Sequence, residues 1–406
     1  MILQVSFSNF YSFKNKAEVS FQFGKKPHQS FYDINLPDGR RVNKVIGAVG
    51  ANGSGKTQML KPLAFLSWFI TSSFLSFRPD EKIPFKPHAE SPKADSEFEV
   101  IFIMGGQEYK YKLVINDSCV MHESLYIKSS HLYSYIFVRD FVSDEETSTY
   151  DFKQKGFGFA KNQAVKIRKN ACLIAAAYNY DVPLAKELVE YFGRIEFNIS
   201  VTGRQHFNRH HLFKAAKFFH DNSEFYELLN QTMCGFDLGL TSLEMRKTIT
   251  KISNDITNDS DDSVEEDVFI PFAIHKSEDS TFELPLFEES SGTQSAFVLL
   301  QRLLPVLRHG GLAVFDEIDN DLHPHLLPHI LELFKFEETN PHNAQIIFSC
   351  HTPEILNLLS KHQIYLVEKI NQESECWRLD EVSGLRADDN LYAKYMAGAL
   401  SAIPDL

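Results

Sequence analysis

No stretch limits the fold as tightly as "KVIGAVGANGSGKTQML", Lys44 to Leu60, in which an apolar strand (Val45 to Val49) runs through Gly50, Gly53, Gly55, Lys56 and Thr57 into an apolar helix. This is GxxxxGK[ST] in a strand–loop–helix setting. The residue types follow from the chemistry. Glycines let backbone N–H groups curl around phosphate oxygens, a lysine reaches the β- and γ-phosphates, and a threonine hydroxyl can ligate Mg²⁺. The expected phosphate contacts are Gly50, Asn52, Gly53, Ser54, Gly55, Lys56, Thr57 and Gln58.

Such a cradle needs a metal-holding acid and a group to orient water. "GLAVFDEID", Gly311 to Asp319, ends a continuous apolar strand in Asp316 and Glu317. An uninterrupted apolar run is the pattern of a parallel strand buried on both faces, and nucleotides bind at the carboxyl ends of such strands. Asp316 is therefore expected to hold Mg²⁺ with Thr57, and Glu317 to polarise the attacking water. A further strand, "AQIIFSCH", ends in His351 and leads into "TPEIL", read as a Pro-started helix. A histidine after a strand can be purely structural, or its imidazole can stand at the same crevice.

"SSGTQSAF", Ser290 to Phe297, joins the alternating segment "TFELPLFEE" to the apolar helix "FVLLQRLLPVL". Serine, threonine and glycine are good helix caps, but amides and hydroxyls at a helix N-terminus also make an anion site.

Taken together these motifs resemble the ABC-type ATPase heads of the SMC and RecF group. The resemblance places "SSGTQ" on the signature loop of such heads, usually Leu-Ser-Gly-Gly-Gln. It implies ATP and Mg²⁺ as cofactors and Lys56, Glu317 and His351 as catalytic residues, with His351 on the switch histidine. It also implies a head-to-tail dimer, or an even-numbered higher oligomer. In that dimer Ser291, Gly292 and Thr293 would face ATP held by the other protomer. "FSNFYSF" is similar to the opening strand and turn of the group, and "IDNDLHPHLL" to its D-loop. "ESSGTQ", "DEIDNDLHP" and the closing "RADDNLYAKYMAGALSAIP" are similar to bacterial ATPases of the abortive-infection AbiL type. Those are generally encoded beside an effector, often a TOPRIM-like nuclease, and act against phage. Thr293 departs from the pattern by standing where the second signature glycine is usual. The Q-loop glutamine is left open among Gln107, Gln154 and Gln163.

The expected fold class is α/β, a P-loop NTPase of ABC-ATPase head type. Residues 1–155 form an N-terminal lobe with an antiparallel β part, 156–240 a helical insertion lobe, and 241–406 a C-terminal lobe. The roughly 230 residues between the phosphate loop and "SSGTQ" hold no sustained heptads, so no long coiled coil is expected. "SEFEVIFIMGGQEYKYKLVIND" predicts a β-hairpin turning at Gly105-Gly106, and "VPLAKELVEYFGRI" and "SEFYELLNQTM" predict helices.

The remaining features bear on partners. A net charge of −13 excludes a surface that is basic throughout. "GRQHFNRHHLFKAAKFFH" nevertheless gathers Arg204, Arg209, Lys214 and Lys217. It reads as a solvated helix face or as a nucleic-acid contact through Arg204, Arg209 and Lys214. His206, His210 and His211 read as surface histidines, since no carboxylate is placed to complete a metal site. "NDITNDSDDSVEED", Asn254 to Asp267, predicts a mobile loop or a docking strip for a basic partner. Five scattered cysteines without a CxxC pair suit a reducing cytoplasm. Pro62 to Phe77 is apolar but short of the roughly 20 residues that span a bilayer, which predicts a core helix and no membrane partner. Two rival functions are a RecF-like DNA-binding repair ATPase and a scaffold in which ATP is a structural ligand with negligible turnover.

Overall fold

The computed structural model describes residues 1–23, 30–143, 148–200, 203–205, 207–236, 238–253, 263–277, 279–320, 322, 325–386 and 389–400. Among these, two large sheets enclose one long helix. The parallel sheet runs in the order Ile195–Phe197, Leu312–Phe315, Gln345–Ser349, Val45–Val49, Ile364–Ile370, Glu373–Arg378. Its first five strands are parallel and the last is an antiparallel edge. Every residue of Val45–Val49, Leu312–Phe315 and Gln345–Ser349 is buried, as continuous apolar runs require when helices or sheets cover both faces.

The second sheet is antiparallel and seven-stranded, and it contains the first strand, Ile2–Ser8, beside Ser96–Met104. The expected hairpin is present. Met104 pairs with Gln107, and Gly105 and Gly106 turn the chain at φ 58° and 76°, the left-handed conformation that suits a two-residue turn. Between the sheets lies the helix Lys56–Ser76, whose Phe65, Leu66, Phe69 and Ile70 join one core with Phe98, Phe102 and Phe192. The apolar segment Pro62 to Phe77 is thus a core helix and its C-cap, and no described helix is long and apolar enough to cross a membrane. A second core lies on the other side of the parallel sheet, beneath the helix Ser291–His309.

This is an α/β P-loop architecture, and its longest described helix, Lys56–Ser76, has 21 residues. Residues 156–240 supply more than helices. They contribute Ile195–Phe197 to the parallel sheet, while the helices Leu173–Tyr178 and Pro183–Gly193 pack in the first core and Arg209–Asp221 and Ser223–Gly235 in the second. A fully buried pair fixes the antiparallel sheet to the first of these helices. Glu123 accepts bonds from the Leu173 amide (2.9 Å) and Tyr111 Oη (3.1 Å) and lies 3.5 Å from Arg139.

Two expectations change. "TPEIL" forms a 3₁₀ turn, Pro353–Asn357, instead of an α-helix. The acidic run is part strand: residues 254–262 lie outside the described residues, but 263–267 open the strand Ser263–Lys276, which pairs with Ser242–Ser253. Cross-strand pairing offsets the charge there, as in the 2.7 Å contact between Lys247 and Asp267.

Candidate nucleotide site

The strand ends put the motifs side by side. Val45–Val49 pairs with Gln345–Ser349, which pairs with Leu312–Phe315, so Gly50, Cys350-His351 and Asp316-Glu317 leave the same edge of the sheet. The loop between Gly50 and Lys56 is built around backbone crowding. A Cβ on Gly50 would meet Ser54 Oγ at 2.9 Å and the Val367 carbonyl carbon at 3.1 Å, and one on Gly55 would meet Ser374 Cβ at 2.9 Å. Gly53 and Gly55 also hold φ of 77° and 115°. Ser374 closes the cradle from behind, donating to the Ser54 carbonyl (2.6 Å) and bonding Ser12 Oγ (2.8 Å).

Lys56 is buried, and its Nζ donates to the carbonyls of Gly50 (2.8 Å) and Ala51 (3.1 Å). Burial pulls its pKa below the usual lysine value against the nearby charges of Asp316, Glu317 and Asp319. Asn52 and Gly53 are exposed at the loop tip, and Gln58 is half-buried on the helix. Ser54 is buried, with no hydrogen-bond partner for its Oγ among the described residues. An orphaned hydroxyl in a glycine cradle with a lysine at its base fits a polyphosphate.

Asp316 is 2 % exposed and fully engaged. Its Oδ2 accepts from Thr57 Oγ1 at 2.7 Å and its Oδ1 from Ser349 Oγ at 2.5 Å. A buried carboxylate and a hydroxyl as hard oxygen donors fit Mg²⁺. Glu317 sits at φ 48°, a left-handed conformation rare outside glycine, with its amide donating to Ser349 Oγ at 2.8 Å. Its two oxygens meet different partners: Oε1 lies 3.0 Å from His351 Nε2 and Oε2 3.0 Å from Arg204 Nη1. Burial pushes this carboxyl up, but the bonds and charges of His351 and Arg204 outweigh it and hold the pKa below the usual glutamate value. Asp319 braces the histidine loop by accepting from the amides of His351 (2.9 Å) and Thr352 (2.8 Å).

Three residues of this site escaped sequence reasoning: Ser349, Asn198 and Arg204. Asn198 follows the strand Ile195–Phe197, and its side chain accepts from the Asp316 amide (2.7 Å) and donates to the Asp316 carbonyl (2.9 Å). The glutamines weighed for the Q-loop stand elsewhere. Gln107 caps the Gly105-Gly106 hairpin, bonding the Lys128 carbonyl, Gln154 bonds the nearby Gly158 amide and Phe159 carbonyl, and Gln163 lies in the short helix Lys161–Ala164.

Arg204 requires a correction. It is not part of an exposed basic face, because its side chain is 10 % exposed and its guanidinium is drawn to Glu317, where an ion pair in partial burial outweighs solvation. Arg209, Lys214 and Lys217 are exposed on the helix Arg209–Asp221. His206 lies outside the described residues, and among those residues no cluster of histidines, cysteines and acids could hold a metal ion.

The "SSGTQ" segment begins the helix Ser291–His309. Ser290 is the N-cap, accepting from the Thr293 amide (3.2 Å) and bonding Thr293 Oγ1 (2.8 Å). Thr293 is buried, so its side chain faces the cap and not the surface, and the branched carbon does not obstruct the exposed Ser291 and its neighbour Gly292. The amides of Ser291 and Gly292 belong to the first helical turn, where N–H groups have no intrahelical acceptor.

No curated protein matches the sequence. Among solved structures, the SMC head domain from Thermotoga maritima is similar over 93% of this chain and 98% of its own, with a TM-score of 0.44 and 12% identity. An Smc head bound to the C-winged helix domain of ScpA is similar over 94% and 98%, with a TM-score of 0.42 and 13% identity. An Smc head domain with an extended coiled coil bound to the C-terminal domain of ScpA, derived from Pyrococcus furiosus, is similar over 94% and 97%, with a TM-score of 0.42 and 11% identity. The family model described as "AAA domain, putative AbiEii toxin, Type IV TA system" matches residues 49–171 and 178–357, which include Lys56, Asp316, Glu317 and His351. By that match over most of its length, this chain belongs to that family of AAA-type ATPase domains.

Proposed function

We propose that the protein binds ATP with Mg²⁺ and hydrolyses it slowly, and that two copies close head-to-tail around ATP to regulate a separately encoded effector in cytoplasmic anti-phage defence of the AbiL type. The observation that carries this reading is the 2.7 Å bond joining Thr57, the last residue of the phosphate loop, to the buried Asp316, with Glu317 and His351 paired beside it. Magnesium, when bound with ATP, neutralises charge on the β- and γ-phosphates.

The chain's own groups would act as follows. Lys56 would exchange its carbonyl partners on Gly50 and Ala51 for phosphate oxygens. Thr57 and Asp316 would hold the metal, the Thr57 hydroxyl turning from the carboxylate to it. Glu317 would orient water, and His351 would sense the γ-phosphate. Ser291 and Gly292 of the second copy would complete the site. The toxin and toxin–antitoxin wording of the family description supports a partner, and a TOPRIM-like nuclease is the proposed effector. Exposed Arg209 and Lys214 are the groups through which nucleic acid would bind, with salt-sensitive binding lost on charge reversal.

Light scattering of Glu317→Gln with and without Mg-ATP tests the assembly. A mass step by an even factor only with ATP supports a shared site, and a mass that ignores ATP removes it. Lys56→Ala is expected to lose ATP binding and hydrolysis, and unchanged activity would sink the proposal.

A further inference from the structure

Glu317 is placed from several directions. Its backbone is turned into the left-handed region, its amide is tied to Ser349 Oγ, and its carboxylate stands between His351 Nε2 and Arg204 Nη1, each at 3.0 Å. A carboxylate that only terminates a strand has no need of such placement. An exposed ion pair contributes little and holds no fixed geometry. Arg204, with a side chain 10 % exposed, is instead locked into a wall of the site.

The segment carrying Arg204 is itself anchored on two sides. Asn198 bonds both the amide and the carbonyl of Asp316. Arg302 donates to the Phe197 carbonyl at 3.0 Å and to Gln205 Oε1 at 3.4 Å. Arg302 belongs to the helix Ser291–His309, whose first turn is the signature loop. The helix, the residues around Arg204 (197–200 and 203–205) and the acidic pair therefore touch in sequence. Where they meet lies a cleft lined by Arg204, Ser295, Arg302 and Glu317, and the buried Ser295 Oγ has no hydrogen-bond partner among the described residues.

We propose that Arg204 is a positioning residue for hydrolysis: its guanidinium holds the Glu317 carboxylate against His351, and Arg302 links that hold to the signature helix. This deepens the ATPase reading and rests on it. A carboxylate that must orient water depends on sub-ångström placement, so loss of the guanidinium, which leaves Oε2 only the 3.4 Å bond from Asn320 Nδ2, acts on turnover and leaves nucleotide affinity to the phosphate loop.

The test is steady-state Mg-ATP hydrolysis by the full chain and by R204M, R204K, E317Q and R204M/E317Q, with binding of a fluorescent ATP analogue measured on each. Expected is a kcat lowered about tenfold to a hundredfold in R204M, with KM and analogue affinity within about twofold of wild type. R204K should recover a substantial part of the loss, and R204M/E317Q should lose nothing beyond E317Q, because the two residues act as one unit. A kcat in R204M equal to or above wild type, or a loss carried by KM alone, overturns the positioning role and leaves the ATPase reading standing. Wild type that turns over no faster than E317Q overturns both. If R204M loses analogue binding through misfolding, R204K decides: a partial loss of kcat at unchanged KM supports positioning, and full wild-type kcat overturns it.

Discussion

Replacing Gly50 with alanine probes the cradle most directly. The new methyl would stand 2.9 Å from Ser54 Oγ and 3.1 Å from the carbonyl carbon of Val367, with the Val367 oxygen nearer still. Non-bonded carbon atoms pack at about 3.5–4.0 Å, so the strands must part by roughly 1 Å. They cannot do so cheaply, because Val367 is fully buried in the strand Ile364–Ile370, which pairs with Val45–Val49 itself. Overpacking of this kind costs about 1–3 kcal/mol. Gly106→Ala, in the hairpin turn and outside the phosphate loop, is the control, since its methyl meets nothing within 4 Å and carries only the strain of φ 76°, about 1–2 kcal/mol. The assay is thermal unfolding with and without Mg²⁺ and a slowly hydrolysed ATP analogue. At a hundredfold excess over Kd, that ligand should stabilise wild type by about 2.7 kcal/mol. Gly50→Ala is expected to lose stability without ligand and most of the ligand increment, whereas Gly106→Ala keeps the increment. A Gly50→Ala protein that melts like wild type and retains the full increment would refute the argument that backbone crowding by Val367 makes glycine obligatory.

Two further outcomes follow from buried charge. Arg139→Met strands Glu123 in the core and should cost about 3–5 kcal/mol by urea titration, and adding Glu123→Gln should recover part of it; a single-variant loss below about 1 kcal/mol contradicts the pairing. Burial pushes the Asp380 carboxyl up, but bonds from His362 (2.9 Å) and Arg378 (2.5 Å) outweigh it and hold the carboxyl well below the usual aspartate range. Because the folded pKa is the lower one, this stabilisation is complete above the unfolded value of about 3.9 and is lost as pH falls from there toward the folded pKa. Asp380→Asn should therefore flatten the decline of the urea midpoint below about pH 4, and an unchanged decline argues against the assignment.

The phosphate loop, the acidic pair and His351 were legible because each is a polar group at the end of a short apolar run, and strand ends in a parallel sheet converge. Asn198, Arg204 and Ser349 were not, for different reasons. Ser349 sits inside an apolar run, where nothing distinguishes a hydroxyl that bonds a distant carboxylate from one that merely fits. Asn198 follows a strand of only three residues, "IEF", too short for any periodicity. Arg204 lies among cations in the sequence, and only the reversal between Ile199–Ser200 and Gly203–Arg204 turns it to Glu317.

The bond from Ser374 to the Ser54 carbonyl joins residues 320 apart, and the strands flanking Val45–Val49 both come from beyond residue 344. A ribosome must therefore release residues as far as Ser374 before the phosphate loop acquires its walls. Molecules cut short of Ser374 would carry the motif in full and lack those walls, which confines any ATP-dependent pairing to copies that extend past it. Assembly of the parallel sheet from such distant pieces is also slow. In a cell that makes the protein in bursts, the delay between synthesis and competence would be set by strand docking and not by encounter with ATP.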